Sequence, residues 1–478
     1  MRRTGVPIFL FLAGALMSTV AGQQPPASPS VWVLRNARIV PVAGAPIPRG
    51  EILVRGDRIE AVGAQVTAPP GAAVVDAEGA TVYPGLIDAY TTLAQPQQIP
   101  SDRAPRPAPQ PSLATPEAQL QAVAGGVTPE WRLATVVQAP ALTTPLSVGI
   151  TTALTLPRTG PLPGRGAWIV TRASSGEAAL IGGPEPIFAQ FTPPGGRYPS
   201  TVMGTIAAIR QALADGARYR EHGVAPEPEA RSAAMAEALA GSAPLLFHAP
   251  REIALRAALI VSREFGLRPL LITGPEVASF VPALRDQAAG VLFSLGSALP
   301  PARPNRPDPA ATPATLHRAG IPVVLTSEGL ANYAGFFPAV RRVIAAGLPE
   351  EEALRALTLR PAELMGIADR VGAIRPGLLA NLVVASGPLF DANTRIRRVY
   401  VRGEAVEPGE PPADPPSPAS EGGPAANGPL PSLAPTPRTL LIRGGTLLTV
   451  TRGTIPNGSL LIQDGKIVAV RPAARIAA

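Results

Sequence analysis

Five short apolar segments limit what this chain can fold into. Gly149-Ile150-Thr151-Thr152-Ala153-Leu154, Pro244-Leu245-Leu246-Phe247-His248, Pro269-Leu270-Leu271-Ile272-Thr273, Gly290-Val291-Leu292-Phe293-Ser294 and Pro322-Val323-Val324-Leu325-Thr326 each follow a Gly or Pro. Runs this short, bounded by turn residues, read as buried strands rather than helices. Between and beyond them lie helical stretches, among them Thr201 to Leu213, Arg251 to Phe265 and Glu350 to Leu357. Strands that alternate with helices predict parallel β/α units. The span from 81 to 375, roughly 290 residues, has the length of one (β/α)8 barrel.

The flanks read differently. Residues 30–80 hold three strand-like runs, Val31-Trp32-Val33-Leu34, Glu51-Ile52-Leu53-Val54 and Arg58-Ile59-Glu60-Ala61-Val62, separated by Gly and Pro turns. They predict a small β domain, to be completed by residues 376–406 with Val399-Tyr400-Val401-Arg402-Gly403. Residues 407–438 form a linker, because Pro408 to Pro437 carries 11 prolines and 4 glycines. Residues 439–478 then repeat the opening. At a constant offset of 408, Arg35, Val42, Ile47, Pro48, Gly50, Leu53, Ile59, Ala61 and Val62 recur as Arg443, Val450, Ile455, Pro456, Gly458, Leu461, Ile467, Ala469 and Val470. A second copy of the module starts there, and two expectations follow: the chain is the front part of a tandem protein, the favoured one because an isolated pair of strands has nothing to bury its apolar face against, or the extra strands serve as an add-on.

Met1-Arg2-Arg3, the apolar run Val6 to Val20 and the small residues Ala21 and Gly22 predict a signal peptide over 1–22 and an exported, periplasmic or extracellular, protein. No later stretch has the uninterrupted apolar length of a membrane span, so no membrane association is expected after cleavage. The absence of cysteine excludes disulfides, thiolate metal sites and a cysteine nucleophile. The formal charge of +8 is spread along the chain without a basic run, so no nucleic-acid partner is expected.

Val82-Tyr83-Pro84-Gly85-Leu86-Ile87-Asp88-Ala89-Tyr90-Thr91-Thr92 resembles the first barrel strand of the amidohydrolase superfamily, in which Pro-Gly-Leu/Phe-Ile-Asp precedes His-x-His. Val371-Gly372-Ala373-Ile374-Arg375-Pro376-Gly377-Leu378-Leu379-Ala380-Asn381-Leu382-Val383-Val384 resembles the superfamily's return segment, with Asn381 in place of Asp. The resemblance spans Val33 to Gly403 and is nearest to the imidazolonepropionase-like metal-dependent hydrolases. It implies an α/β fold, a (β/α)8 TIM-like barrel with a small β-sandwich built from both flanks. It also implies a site for Zn or another divalent metal at the C-terminal ends of the barrel strands, and hydrolysis of non-peptide C–N bonds.

The ligands that the resemblance implies are mostly missing. Tyr90 and Thr92 stand for the two histidines of His-x-His, which point to one side of a strand. His248 matches the fifth-strand histidine, and Pro250 follows where relatives often carry another. Pro275 stands for the sixth-strand histidine, and Ser327 for the eighth-strand aspartate that binds metal and activates water. Glu328 would point away if that strand continued regularly. No lysine precedes Lys466, so a carboxylated lysine bridge is excluded. His222 and His317 lack ligand spacing.

The chain is therefore expected to be catalytically inactive in this module, with no cofactor and with a second, downstream amidohydrolase-like module as its partner. Self-association into a homo-oligomer is compatible with it. One alternative is an active metal-dependent hydrolase. Another is a small-ligand module using Tyr90, Thr92, His248 and Arg341 around the old pocket. The proline-rich loop Pro96 to Pro116 is expected to be a tolerated insertion.

Overall fold

The computed structural model describes residues 30–96, 126–138, 142–158, 160–193, 199–223, 229–299, 307–409, 439–449 and 453–472. The segments expected to form a signal peptide (1–22), a proline-rich loop (from Gln97 onward) and, for all but its first residues, a linker lie outside the described residues. Two compact units divide the chain, with a boundary after Asp414.

The first unit opens with five strands, β1 (Val31–Ile39), β2 (Ile47–Arg55), β3 (Arg58–Gly63), β4 (Ala73–Asp76) and β5 (Thr81–Pro84). β1 and β2 pair antiparallel, as do β2 and β3, while β4 and β5 add in parallel to successive parts of the other edge of β1. The Asp57-centred turn between β2 and β3 uses Gly56 at φ 59°, backbone space that a side chain would strain.

Barrel strands follow: β6 (Leu86–Thr91), β7 (Ile150–Thr155), β8 (Gly164–Arg165), β9 (Ala167–Val170), β10 (Ile187–Gln190), β11 (Leu245–His248), β12 (Leu270–Thr273), β13 (Gly290–Ser294) and β14 (Val323–Thr326). β10 to β14 pair in parallel in sequence order, as do β6 and β7. All five apolar segments predicted as strands lie in this set, within a residue of the predicted ends. The third position differs from a regular β/α unit. β8 and β9 run on from each other across Gly166, antiparallel both to β7 and to β10, and bridge the two parallel groups. The last seam lies between β14 and β6, where the Ser327 N–H donates to Asp88 Oδ1 at 3.2 Å. Ile87, Leu154, Phe188, Leu246, Leu270, Leu292 and Val324 fill the interior with apolar side chains.

Helices pack outside. The longest are α1 (Val202–His222), α2 (Glu229–Ala240) and α3 (Glu252–Phe265). Thr201 caps α1 by accepting from Gly204 N–H, and Gly223 at φ 66° ends it. Then come α4 (Val281–Gln287), α5 (Thr312–Arg318), α6 (Phe336–Ala345), α7 (Glu350–Ala356) and α8 (Leu359–Leu364). No described helix is long and apolar enough to cross a membrane.

The chain then returns to the first sheet as β15 (Leu382–Ala385), β16 (Ile396–Val401) and β17 (Glu404–Val406). β15 pairs with β5, giving one eight-stranded sheet. Its β3 edge is also tied to the segment that leads into β15, because Ile59 N–H donates to Leu378 O and Gly377 N–H to Ile59 O. Trp32 stacks on Tyr400 with ring centroids 4.5 Å apart, inside an apolar layer that includes Leu34, Ile52, Val82 and Leu382. Asn381 ties this layer to the barrel: its Nδ2 donates to Thr152 Oγ1 on β7 and its Oδ1 accepts from Arg402 N–H. Asn381 therefore holds a structural position, joining β15 to β7 and to the turn after β16.

The second unit is a three-stranded antiparallel sheet, β18 (Thr439–Leu448), β19 (Thr454–Gln463) and β20 (Lys466–Pro472).

Candidate functional site

The C-terminal ends of β6 and β14, with the segment that follows β7, meet at a cleft of about 230 Å³, whose lining includes Tyr90, Thr92, Arg158, Glu328, Asn332 and Tyr333. Two hydrogen-bonded groups occupy its floor.

The first centres on Asp88, which is 1% exposed. Oδ1 accepts from the N–H groups of Ser327 (3.2 Å) and Tyr90 (3.4 Å), and Oδ2 accepts from the Ser327 hydroxyl and from the Tyr333 hydroxyl (3.1 Å). Burial pushes the Asp88 carboxyl above its usual range, and the Ser327 and Tyr333 donors oppose that shift without cancelling it. Tyr333 is in turn held upward, by burial first and then by the neighbouring carboxylate. Ser327 thus stands where the resemblance implies a metal-binding aspartate, and its hydroxyl closes the β14–β6 seam.

The second group is His248 with Glu328. His248 Nε2 lies 2.6 Å from Glu328 Oε1, and both side chains are largely buried. Glu328 does not point away, contrary to the expectation of a regular strand. β14 ends at Thr326, and a turn follows in which Leu330 N–H donates to Ser327 O and Gly329 adopts φ 75°. That turn is fixed from β13 and the residues after it: Ser294 Oγ donates to Glu328 O at 2.7 Å, and Gly296 N–H donates to the same oxygen at 2.9 Å. A Cβ on Gly296 would overlap the Gly329 backbone, so the close approach needs glycine.

Aromatic groups cover the pair. The Tyr90 ring stacks on His248 at 5.3 Å with an interplanar angle of 18°, Phe188 lies 6.2 Å from the imidazole, and the Arg158 guanidinium sits 4.6 Å above the Tyr90 ring. Burial holds the Tyr90 phenol well above its ordinary range, so it stays neutral.

The other singled-out residues do not join this arrangement as an array of ligands. Tyr90 is buried on β6, but Thr92 lies one residue past the strand and is exposed at the cleft. Pro275 opens a 3-10 helix (Pro275–Phe280) after β12, where its missing N–H costs nothing. His222 ends α1 on the surface, 3.7 Å from Glu221. His317 lies 3.7 Å from Glu352 beside Pro322, near the N-terminal end of β14. Arg341, on α6, is not among the residues that line the cleft, where the cation is Arg158.

The chemistry of the donors does not fit a divalent metal. A structural or catalytic Zn site takes three or four N, O or S ligands. Here the one imidazole has Nε2 engaged by Glu328 and Nδ1 buried without a partner, and Asp88 already accepts four hydrogen bonds. Among the described residues no three His, Cys, Asp or Glu side chains cluster.

A β/α barrel with its polar residues gathered at the strand C-termini, joined to a sheet built from both flanks, defines the class. Residues 209–406 match the family model described as Amidohydrolase family. Over those residues the chain is similar to the amidohydrolases, a family whose members usually bind a divalent metal. Its fold is similar to that of an amidohydrolase from Thermotoga maritima MSB8, with a TM-score of 0.65 and 24% identity over 78% of this chain and 99% of that one. Short segments are similar to two curated proteins. One is the N-acyl-D-aspartate deacylase of Alcaligenes xylosoxydans xylosoxydans, 36% identical over 74 residues, which are 14% of this chain and 15% of that protein. The other is the adenine deaminase of Methanoculleus marisnigri, 44% identical over 81 residues, which are 16% and 15%. The chain spans only those shares of the curated relatives it matches.

Sequence reasoning missed the Asp88–Ser327–Tyr333 group and the Arg158 cover. Asp88 sat inside a recognised motif, but nothing local to it marks partners 239 and 245 positions away.

Proposed function

We propose that this module is an exported amidohydrolase-like barrel that holds no metal and has no hydrolytic turnover of its own, and that it serves as a scaffold for a partner module. The observation that carries this reading is the bond between His248 Nε2 and Glu328 Oε1. It ties up the one imidazole that matches a family ligand, while Tyr90, Thr92, Pro275 and Ser327 occupy the other ligand positions. Hydrolysis of an unactivated C–N bond needs an activated water and a stabilised oxyanion. Asp88 accepts hydrogen bonds on both oxygens, and Glu328 faces His248 through Oε1 while its Oε2 is buried without a partner; we read neither as a base held toward an attacking water. Export is supported by the Met1 to Gly22 segment, and neither a nucleic-acid nor a membrane partner is part of the proposal.

A second reading has one observation in its favour. The open cleft, with Arg158 at its mouth, would admit a small ligand, as in a binding module. Assaying the purified chain with and without added Zn against amide, cyclic amide and aminopurine substrates separates the readings. No turnover above buffer in either condition agrees with a scaffold. Zn-dependent turnover that disappears in His248→Ala would overturn it.

A further inference from the structure

The internal repeat is reproduced in three dimensions, and its two copies differ in what covers them. Adding 408 to the β1–β2 partners Val31↔Arg55, Leu34↔Ile52, Ala37↔Gly50 and Ile39↔Ile47 gives the β18–β19 partners Thr439↔Gln463, Ile442↔Leu460, Gly445↔Gly458 and Leu447↔Ile455. The β2–β3 register maps onto β19–β20 in the same way, from Ile52↔Val62 onto Leu460↔Val470 and from Val54↔Ile59 onto Ile462↔Ile467. Asn36 at φ 57° corresponds to Gly444 at φ 79°. One backbone design is therefore used twice.

In the first copy Leu34 and Ile59 are each 1% exposed, under an apolar layer that includes Val82 of β5, Leu382 and Val384 of β15 and Tyr400 of β16. In the second copy the equivalents Ile442 and Ile467 are 43% and 63% exposed. The edge of β1 that takes β4 and β5 in parallel is filled, while β18 pairs only with β19 among the described residues. An open strand edge with an apolar face is a template for another strand.

We propose that the sheet of β18 to β20 is a docking surface for a second module of this same barrel-and-sheet kind. That module lays strands equivalent to β4 and β5 in parallel along Leu440–Arg443 and Thr446–Leu447, and covers Ile442, Leu460, Ile462 and Ile467 with its own apolar layer. The first copy supplies the chemistry of the occupant: a parallel strand such as Ala73-Val74-Val75-Asp76, followed after a short turn by one such as Thr81-Val82-Tyr83-Pro84. Among the described residues the strands that fit, β4 and β5, are already engaged by β1, so the occupant proposed is a separate module.

The test uses the full chain and a synthetic peptide with the sequence of residues 71–84, read by hydrogen–deuterium exchange. At saturating peptide, exchange over 440–448 should slow about tenfold or more. A scrambled peptide should have no effect, and Ile442→Arg should abolish the slowing while the β19–β20 amides stay protected. Three outcomes would overturn the proposal: unchanged exchange in β18 with β19–β20 protected, equal slowing by the scrambled peptide, or a concentration-dependent dimer that becomes monomeric in Ile442→Arg/Ile467→Arg. The last would name a second copy of the chain as occupant.

Discussion

Removing the two hydroxyl donors to Asp88 Oδ2 separates a structural lock from a proton device. Tyr333→Phe deletes the 3.1 Å bond and Ser327→Ala deletes the other, both to a carboxylate that is 1% exposed. Hydrogen bonds to a charged group contribute about 1.5–3 kcal/mol, so each single variant should lose about that much stability. The double variant leaves Oδ2 buried with no donor. Its loss should exceed the sum of the two singles, since the last donor removed exposes the full desolvation cost of the oxygen.

The pH dependence follows from the direction of the Asp88 shift. Its carboxyl is raised in the folded state, so the associated stability is present in acid and is lost as pH rises through the folded-state value. Both donors lower that value, and deleting them raises it further. The deficit of the double variant should therefore be smallest in acid and widen as pH rises, read by urea unfolding in buffers from about pH 4 to about pH 8. Single variants within about 0.5 kcal/mol of the parent, with no pH dependence in the double, would refute the reasoning.

Three further outcomes are expected. Gly296→Ala pushes the turn at Gly329 away, so it should break the His248–Glu328 bond and destabilise the first unit by about 1–3 kcal/mol, seen as a shifted His248 imidazole resonance and a lower unfolding midpoint. Leu382→Ala, at a fully buried position facing Pro84 across β15 and β5, should cost about 2–5 kcal/mol in denaturant unfolding. Arg158→Ala removes a cation over the Tyr90 ring from an exposed position and should change stability by no more than about 1 kcal/mol, a difference readable in the same assay.

The parallel strands were legible because apolar runs of five residues after Gly or Pro have few other uses, and the repeat was legible because identities at one fixed offset need no structural knowledge. The bridging strand β8–β9 was not. Gly164-Arg165-Gly166-Ala167 carries two glycines and an arginine, so its first half lacks a β-strand composition, and only pairing with β7 and β10 makes it a strand. In the site, Tyr90, Thr92, Pro275 and Ser327 could be placed from the motif alone at the positions where the resemblance implies ligands. What surrounds them could not. Strand alternation placed Glu328 outward, and the turn that reverses it depends on the approach of Gly296 to Gly329, a contact between segments far apart in sequence.

Metal content tests the central claim most directly. The chain from Gln23 onward is incubated with excess Zn, desalted and measured by elemental analysis, with circular dichroism to confirm that it is folded. The His248–Glu328 bond, with Tyr90, Thr92, Pro275 and Ser327 at the positions where the resemblance implies ligands, predicts a folded chain that retains well under one Zn per molecule. Retention of about one Zn per chain, lost in His248→Ala, would contradict the account.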